Sequence, residues 1–128
     1  MRLFLVRHAH SDPGEPDELR PLSARGREQA RELAERLATI EPALVVASPL
    51  LRARETASAI AKATGAELRV DERLAPGADA EAVLDAIEGA DGPVVAVGHQ
   101  PDCSEIAAAL GAGERNFPTA GVVEIDVR

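Results

Sequence analysis

Apolar residues run without interruption through Leu3-Phe4-Leu5-Val6, Ala43-Leu44-Val45-Val46-Ala47 and Val94-Val95-Ala96-Val97, and each run stops against polar or charged residues. The continuous valines of the third run are expected of a strand buried on both faces, and the other two runs also read as strands. They predict strands over about Arg2 to Arg7, Ala43 to Ala47 and Pro93 to Val97. Between them the period changes to that of a helix. After Ser23, a favourable N-cap, Ala30, Leu33, Ala34 and Leu37 share one face. Ser48 as N-cap and Pro49 as first helical residue are expected to start a second helix, with Ala53, Ala57, Ile60 and Ala61 as its stripe and Gly65 as its stop. Glu67 to Val70 reads as a short strand and Pro76-Gly77 as a break, followed by a short helix carrying Ala82, Val83, Ala86 and Ile87. Pro101 opens a further helix whose Cys103, Ile106, Ala107 and Leu110 face one way. Gly121 to Val127 alternates apolar and acidic residues, as a strand near an edge does. Strands alternating with helices predict a three-layer α/β sandwich with right-handed crossovers.

Composition narrows the class. At 128 residues the chain is expected to form one domain, residues 1–128, around one core. The 45% hydrophobic and 28% charged contents are those of a soluble globular protein, and with only 2% aromatic residues the core must be aliphatic. No apolar stretch is long enough for a membrane span or the core of a signal peptide, so the expected location is the cytoplasm. One cysteine, Cys103, cannot form an internal disulfide or a cysteine metal cage, and its place on an apolar helix face predicts burial. The formal net charge of -8 repels nucleic acid. It does not exclude a phosphorylated ligand, because screening over roughly 8 Å leaves local cations in control. The oligomeric state is open at this level, with a monomer as the working expectation.

Candidate chemistry gathers where the strands stop. Arg7 and His8 end the first run, Ser48 and Arg52 follow the second, and His99 follows the third after Gly98. In an open parallel α/β sheet the C-terminal strand ends share one edge, and ligands bind there. Two imidazoles and two guanidiniums thus converge. A neutral histidine can attack phosphorus and guanidiniums bind phosphate oxygens in pairs, so the group reads as a phosphoryl-transfer site. Ser48 and the amides opening its helix add oxygen-facing donors. His10 and Ser11, in the loop that follows and that carries Pro13, Gly14, Pro16 and Pro21, are further expected substrate contacts. A metal site built on His8, His10 and His99 is disfavoured, since no carboxylate stands at ligand spacing and nearby arginines oppose a cation. Residue types alone do not choose between His8 and His99 as the nucleophile.

Four ordered blocks now match a family pattern. Leu5-Val6-Arg7-His8-Ala9 resembles the Arg-His-Gly signature of the histidine phosphatase superfamily, with alanine for the common glycine. Leu22-Ser23-Ala24-Arg25-Gly26-Arg27-Glu28-Gln29-Ala30, Ser48-Pro49-Leu50-Leu51-Arg52-Ala53-Arg54-Glu55-Thr56-Ala57 and Gly98-His99-Gln100-Pro101 are similar to its later blocks. The short chain and Leu74-Ala75-Pro76-Gly77 look most like the SixA-type phosphohistidine phosphatases. The resemblance implies a phosphoglycerate-mutase-like fold, a three-layer α/β/α sandwich whose mostly parallel mixed sheet has its final strand antiparallel. It implies His8 as the phosphorylated nucleophile, Arg7, Arg52 and His99 as the phosphate pocket, and no cofactor or metal.

One departure bears on substrate. Many members place a glutamate, the general acid, two residues after the leucine that corresponds to Leu74, and Pro76 stands there in this chain. Proline cannot donate a proton, and Glu72 and Glu81 are the flanking candidates to replace it. Lack of an acid is tolerable for a leaving group that departs easily, such as the imidazole of phosphohistidine. The expected partner is therefore a phosphorylated protein, such as a histidine-containing phosphotransfer domain. The alternatives are a small-molecule phosphomonoesterase of the same fold acting on a metabolite or nucleotide, and a noncatalytic phosphate-binding module.

Overall fold

The computed structural model describes residues 1–127; the last residue of the expected domain lies outside the described residues. Strands β1 (Arg2–Arg7), β2 (Leu44–Ala47), β3 (Glu67–Val70), β4 (Val94–Gly98) and β5 (Val122–Asp126) form one sheet in the order β3-β2-β4-β1-β5. The first four are mutually parallel where they pair, and β5 runs antiparallel to β1. Helices α1 (Ala24–Ala38), α2 (Leu51–Thr64), α3 (Ala80–Ala86) and α4 (Asp102–Ala109) connect them. Among the described residues, no helix is long and apolar enough to cross a membrane.

Alternation along the strands sorts the core into two layers. Phe4, Val6, Val45, Ala47, Val95 and Val97 pack against Leu33, Ala34 and Leu37 of α1 and Ala53, Ala57 and Ile60 of α2. Leu3, Leu5, Leu44, Val46, Val94 and Ala96 face the other way, against Val83 and Ala86 of α3 and Cys103, Ile106 and Ala107 of α4. Successive side chains on a strand point to opposite faces, so each central strand feeds both layers. This is a three-layer α/β/α architecture with a mostly parallel mixed sheet whose last strand is antiparallel, as the family resemblance implies. The outer β3 has all four residues exposed, while Ile125 alone is buried among the residues of β5.

The helix starts correct two expectations. Ser48 is not the N-cap of α2: its Oγ accepts the Leu50 amide at 3.2 Å, and Leu50 stays extended at φ -67°, ψ 140° before the helix begins at Leu51. A hydroxyl that takes the amide two residues on favours a turn over a helical start, so Pro49 lies before the helix. Likewise Pro101 occupies the N-cap position and α4 starts at Asp102. Ser23 does cap α1, accepting from the Gly26 amide at 3.0 Å. Gly26 is required here, because a β-carbon would overlap the His10 carbonyl where α1 crosses the loop after β1.

Candidate active site

Strand register lines up the site before any side chain is considered. Arg7 pairs with Gly98 across β1 and β4, so His8 and His99 are the next residues on adjacent strands. Ala47 pairs with Val97 across β2 and β4, which brings Ser48 alongside. The ladder continues one step beyond the strands through His8 N to Gly98 O and Ser48 N to Val97 O, both 3.0 Å. The two imidazole centroids are 5.3 Å apart, with ring planes inclined by 58°.

The hydrogen bonds of each ring set its protonation. His8 Nδ1 lies 2.7 Å from the Ala9 carbonyl. A carbonyl only accepts, so Nδ1 carries the proton and Nε2 presents the lone pair. His99 Nε2 lies 2.7 Å from Ser48 Oγ. The Ser48 oxygen accepts the Leu50 amide and keeps a second lone pair, so its hydroxyl can donate to Nε2 or accept from it; an anion on the Nδ1 side selects the first arrangement, with the ring proton on Nδ1. Burial, then the guanidiniums of Arg52, Arg7 and Arg20, push His8 down to about 4 against the pull of the Ala9 carbonyl. Burial, then His8 and Arg52, lower His99 to about 4 as well, with Asp17 opposing. Both rings are therefore neutral at pH 7.

The guanidiniums are held from behind. Arg7 Nη1 donates to the Phe117 carbonyl at 2.9 Å. Arg52, on the first turn of α2, is 8% exposed and donates through Nη1 and Nη2 to the carbonyl and carboxylate of Asp17. Among the described residues, the buried side-chain nitrogens without a partner are Arg7 Nε and His99 Nδ1. An unpaired buried donor such as Arg7 Nε is costly, and an anion in this cluster would supply an acceptor to it and to a proton on His99 Nδ1.

The other sequence-predicted residues fall around this centre. Ser48 is fully buried and touches His99. Ser11 Oγ accepts from Arg20 Nη2 at 3.0 Å. His10 turns its Nδ1 to Ser23 Oγ, 2.6 Å away, at the start of α1. Glu72 and Glu81 are exposed, and the carboxylate whose charge acts on His99 is that of Asp17. The turn at Pro76-Gly77 is pinned to α4 by Asp102, whose Oδ2 accepts the Gly77 amide at 2.8 Å. Cys103 is buried and its thiol is pushed up to about 12 by burial, which leaves it inert. Among the described residues, no group of three or more His, Cys, Asp and Glu side chains is placed to hold a metal ion.

Arg20, Asp17 and Thr56 complete the site without having been assigned a role from sequence. Thr56 Oγ1 accepts the Ala9 amide at 3.0 Å and donates to the Arg52 carbonyl at 2.8 Å, tying the His8 loop to the Arg52 helix. Its position in the block that also holds Arg52 was the available signal. Asp17 opens a short 3-10 turn (Asp17–Leu19) that Arg20 ends, within a connection where no hydrophobic period marks which residues turn inward.

Comparison with known proteins bears on the family and the fold. An uncharacterized protein of Picosynechococcus sp. is 34% identical over 138 residues, covering 96% of this chain and 83% of that one. The structure of the protein histidine phosphatase SixA complexed with tungstate superposes with a TM-score of 0.87 at 25% identity, covering 98% of this chain and 88% of that one. A mycobacterial glucosyl-3-phosphoglycerate phosphatase complexed with VO3 superposes with a TM-score of 0.77 at 28% identity, over 98% of this chain and 90% of that one. The family model of the histidine phosphatase superfamily (branch 1) matches residues 3–76. More than half of the sequence is thereby accounted for, and the chain belongs to the histidine phosphatase superfamily.

Proposed function

We propose that this phosphatase acts without a metal through a phosphohistidine on His8, and that its substrate is phosphohistidine in a protein such as a histidine-containing phosphotransfer domain. The observation that carries the reading is the bond from His8 Nδ1 to the Ala9 carbonyl, which leaves Nε2 as a neutral nucleophile beside Arg7 and Arg52. In the first step the Nε2 lone pair forms a bond to phosphorus as the P–N bond of the substrate breaks, its electron pair going to the departing ring. Arg7, Arg52 and the Nδ1–H of His99 bind the nonbridging oxygens, where negative charge is concentrated. Water then attacks phosphorus, the Nε2–P bond breaks, and phosphate leaves with His8 restored. Ser48 orients His99, and Ser11 supports Arg20; a direct contact of His10 with substrate belongs to the same proposal. The working unit is the single domain 1–128, and the single cysteine fits a cytoplasmic setting.

The likeness to the SixA structure and the proline at position 76 support a protein phosphohistidine. The likeness to glucosyl-3-phosphoglycerate phosphatase supports the second reading, a small-molecule phosphomonoesterase. A turnover panel separates them. With no acid at Pro76, a phosphorylated phosphotransfer domain and aryl phosphates with acidic leaving groups should be hydrolysed far faster than alkyl phosphates, since general acid catalysis is worth about 10²- to 10⁴-fold. Near-equal rates across the leaving-group series would favour the small-molecule reading, and Glu72→Gln and Glu81→Gln would then locate the proton donor.

A further inference from the structure

The loop between β1 and α1 places a carboxylate of the protein itself against the arginines. Asp17 Oδ2 accepts Arg52 Nη2 at 3.2 Å, and its Oδ1 accepts Arg20 Nη1 at 3.0 Å. The Asp17 carbonyl takes Arg52 Nη1 at 2.9 Å. Arg20 is a third guanidinium of the site, held on its other sides by Ser11 Oγ and by the Asp12 carbonyl, the latter 2.9 Å from Nε. The Arg52 side chain is 9% exposed and that of Asp17 59%, so a fixed cation meets a carboxylate on the solvent side. One carboxylate bridging two guanidiniums is the arrangement that a second anionic group of a substrate would seek.

We propose that Asp17 determines specificity: its carboxylate occupies the Arg52–Arg20 subsite and turns away phosphate compounds that carry a carboxylate beside the phosphoryl group. This inference rests on the phosphatase reading and narrows its substrate class. A ligand with two anionic groups must either displace Asp17 or set its own carboxylate against it, and like charges in one place discriminate by repulsion. A phosphoryl group on an imidazole brings no second carboxylate. It engages the positions that Asp17 leaves open, Arg7 Nε and His99 Nδ1.

The test is competition against turnover of an activated aryl phosphate, using methyl phosphate, which has one anionic group, and phosphoglycolate, which adds a carboxylate. In the unaltered protein phosphoglycolate should inhibit more weakly than methyl phosphate, since its carboxylate meets that of Asp17. Asp17→Ala and Asp17→Asn should shift the ratio of inhibition constants toward phosphoglycolate by roughly tenfold or more, the value of a new charge-assisted pair. Arg20→Ala in the Asp17→Ala background should erase that gain. Equal weakening of both inhibitors would make Asp17 a support for Arg52, and an unchanged ratio would make it a solvated ion pair; either result overturns the proposal. Failure of the phosphatase reading looks different, as absence of aryl phosphate turnover in the unaltered protein. Calorimetric binding of the same two compounds would then still read the ratio.

Discussion

The rings of His8 and His99 stand 5.3 Å apart, centroid to centroid, and tilted by 58°. They can meet one phosphoryl group from two sides. Their hydrogen bonds make them unlike: a carbonyl takes the Nδ1 proton of His8, whereas a hydroxyl meets Nε2 of His99. His8 thus offers a lone pair from Nε2, and His99 offers an N–H from Nδ1 when the Ser48 hydroxyl donates to its Nε2.

This asymmetry predicts the atom that is phosphorylated. Rapid quenching during turnover should trap an acid-labile phosphoryl group on His8, and NMR of the quenched protein should place it on Nε2. His8→Ala should trap nothing. Label on His99, or on Nδ1 of His8, would refute the tautomer assignment.

The titration of the pair should be displaced well to the acid side. Unfolded histidine titrates near 6.5, and both rings are lowered to about 4 in the fold. Between those values the unfolded chain binds more protons than the folded one, so stability rises with pH across that window. The contribution is complete above about 6.5 and is lost as pH falls toward 4. NMR of the ring Cε1–H signals should show no midpoint for either residue near 6.5, and thermal unfolding should fall over the same range. His8→Gln and His99→Gln should each flatten that fall.

Arg52→Lys keeps a positive charge but removes the planar fork. A loss of about tenfold or more in kcat/KM and in vanadate affinity is expected, since one ammonium cannot both hold Asp17 and grip two phosphate oxygens. Chelator should leave the unaltered enzyme active. Unchanged kinetics in the lysine variant would place Arg52 among ordinary helix-surface cations, and chelator-sensitive activity would point to a metal.

Thr56 should matter to both stability and alignment. It is fully buried and links the Ala9 amide to the Arg52 carbonyl. Thr56→Val conserves shape but leaves the Ala9 amide unpaired, at a cost of about 1–3 kcal/mol in urea or thermal unfolding. Thr56→Ser, which retains the hydroxyl, should recover most of it. Equal stability of the valine variant would mean that solvent or a backbone shift satisfies that amide.

The elements were legible where burial imposes a period. Leu33, Ala34 and Leu37 could be assigned to a buried face because a helix repeats every 3.6 residues. The runs ending at Val6, Ala47 and Val97 could be assigned to central strands because both faces are covered. Convergence of Arg7, His8, Ser48, Arg52 and His99 followed from the rule that strand ends share an edge, and His8 was named as nucleophile only through family resemblance. The start of α2 was misplaced because Ser48 has two possible uses, capping a helix or meeting a distant histidine, and local sequence does not rank them.

By itself, then, the sequence determined which segments are strands and helices and which residues stand at the strand ends, since these depend on neighbours a few positions away. The tertiary structure alone decided that β4 lies between β1 and β2, which sets His99 against both His8 and Ser48. It decided the His8 tautomer, which hangs on a contact of 2.7 Å to a carbonyl. It also decided that Asp17 and Arg20 enter the site. Their loop has no hydrophobic period, and its path is set by interactions that join it to residues as distant as Arg52, where the physics acts through space instead of along the chain.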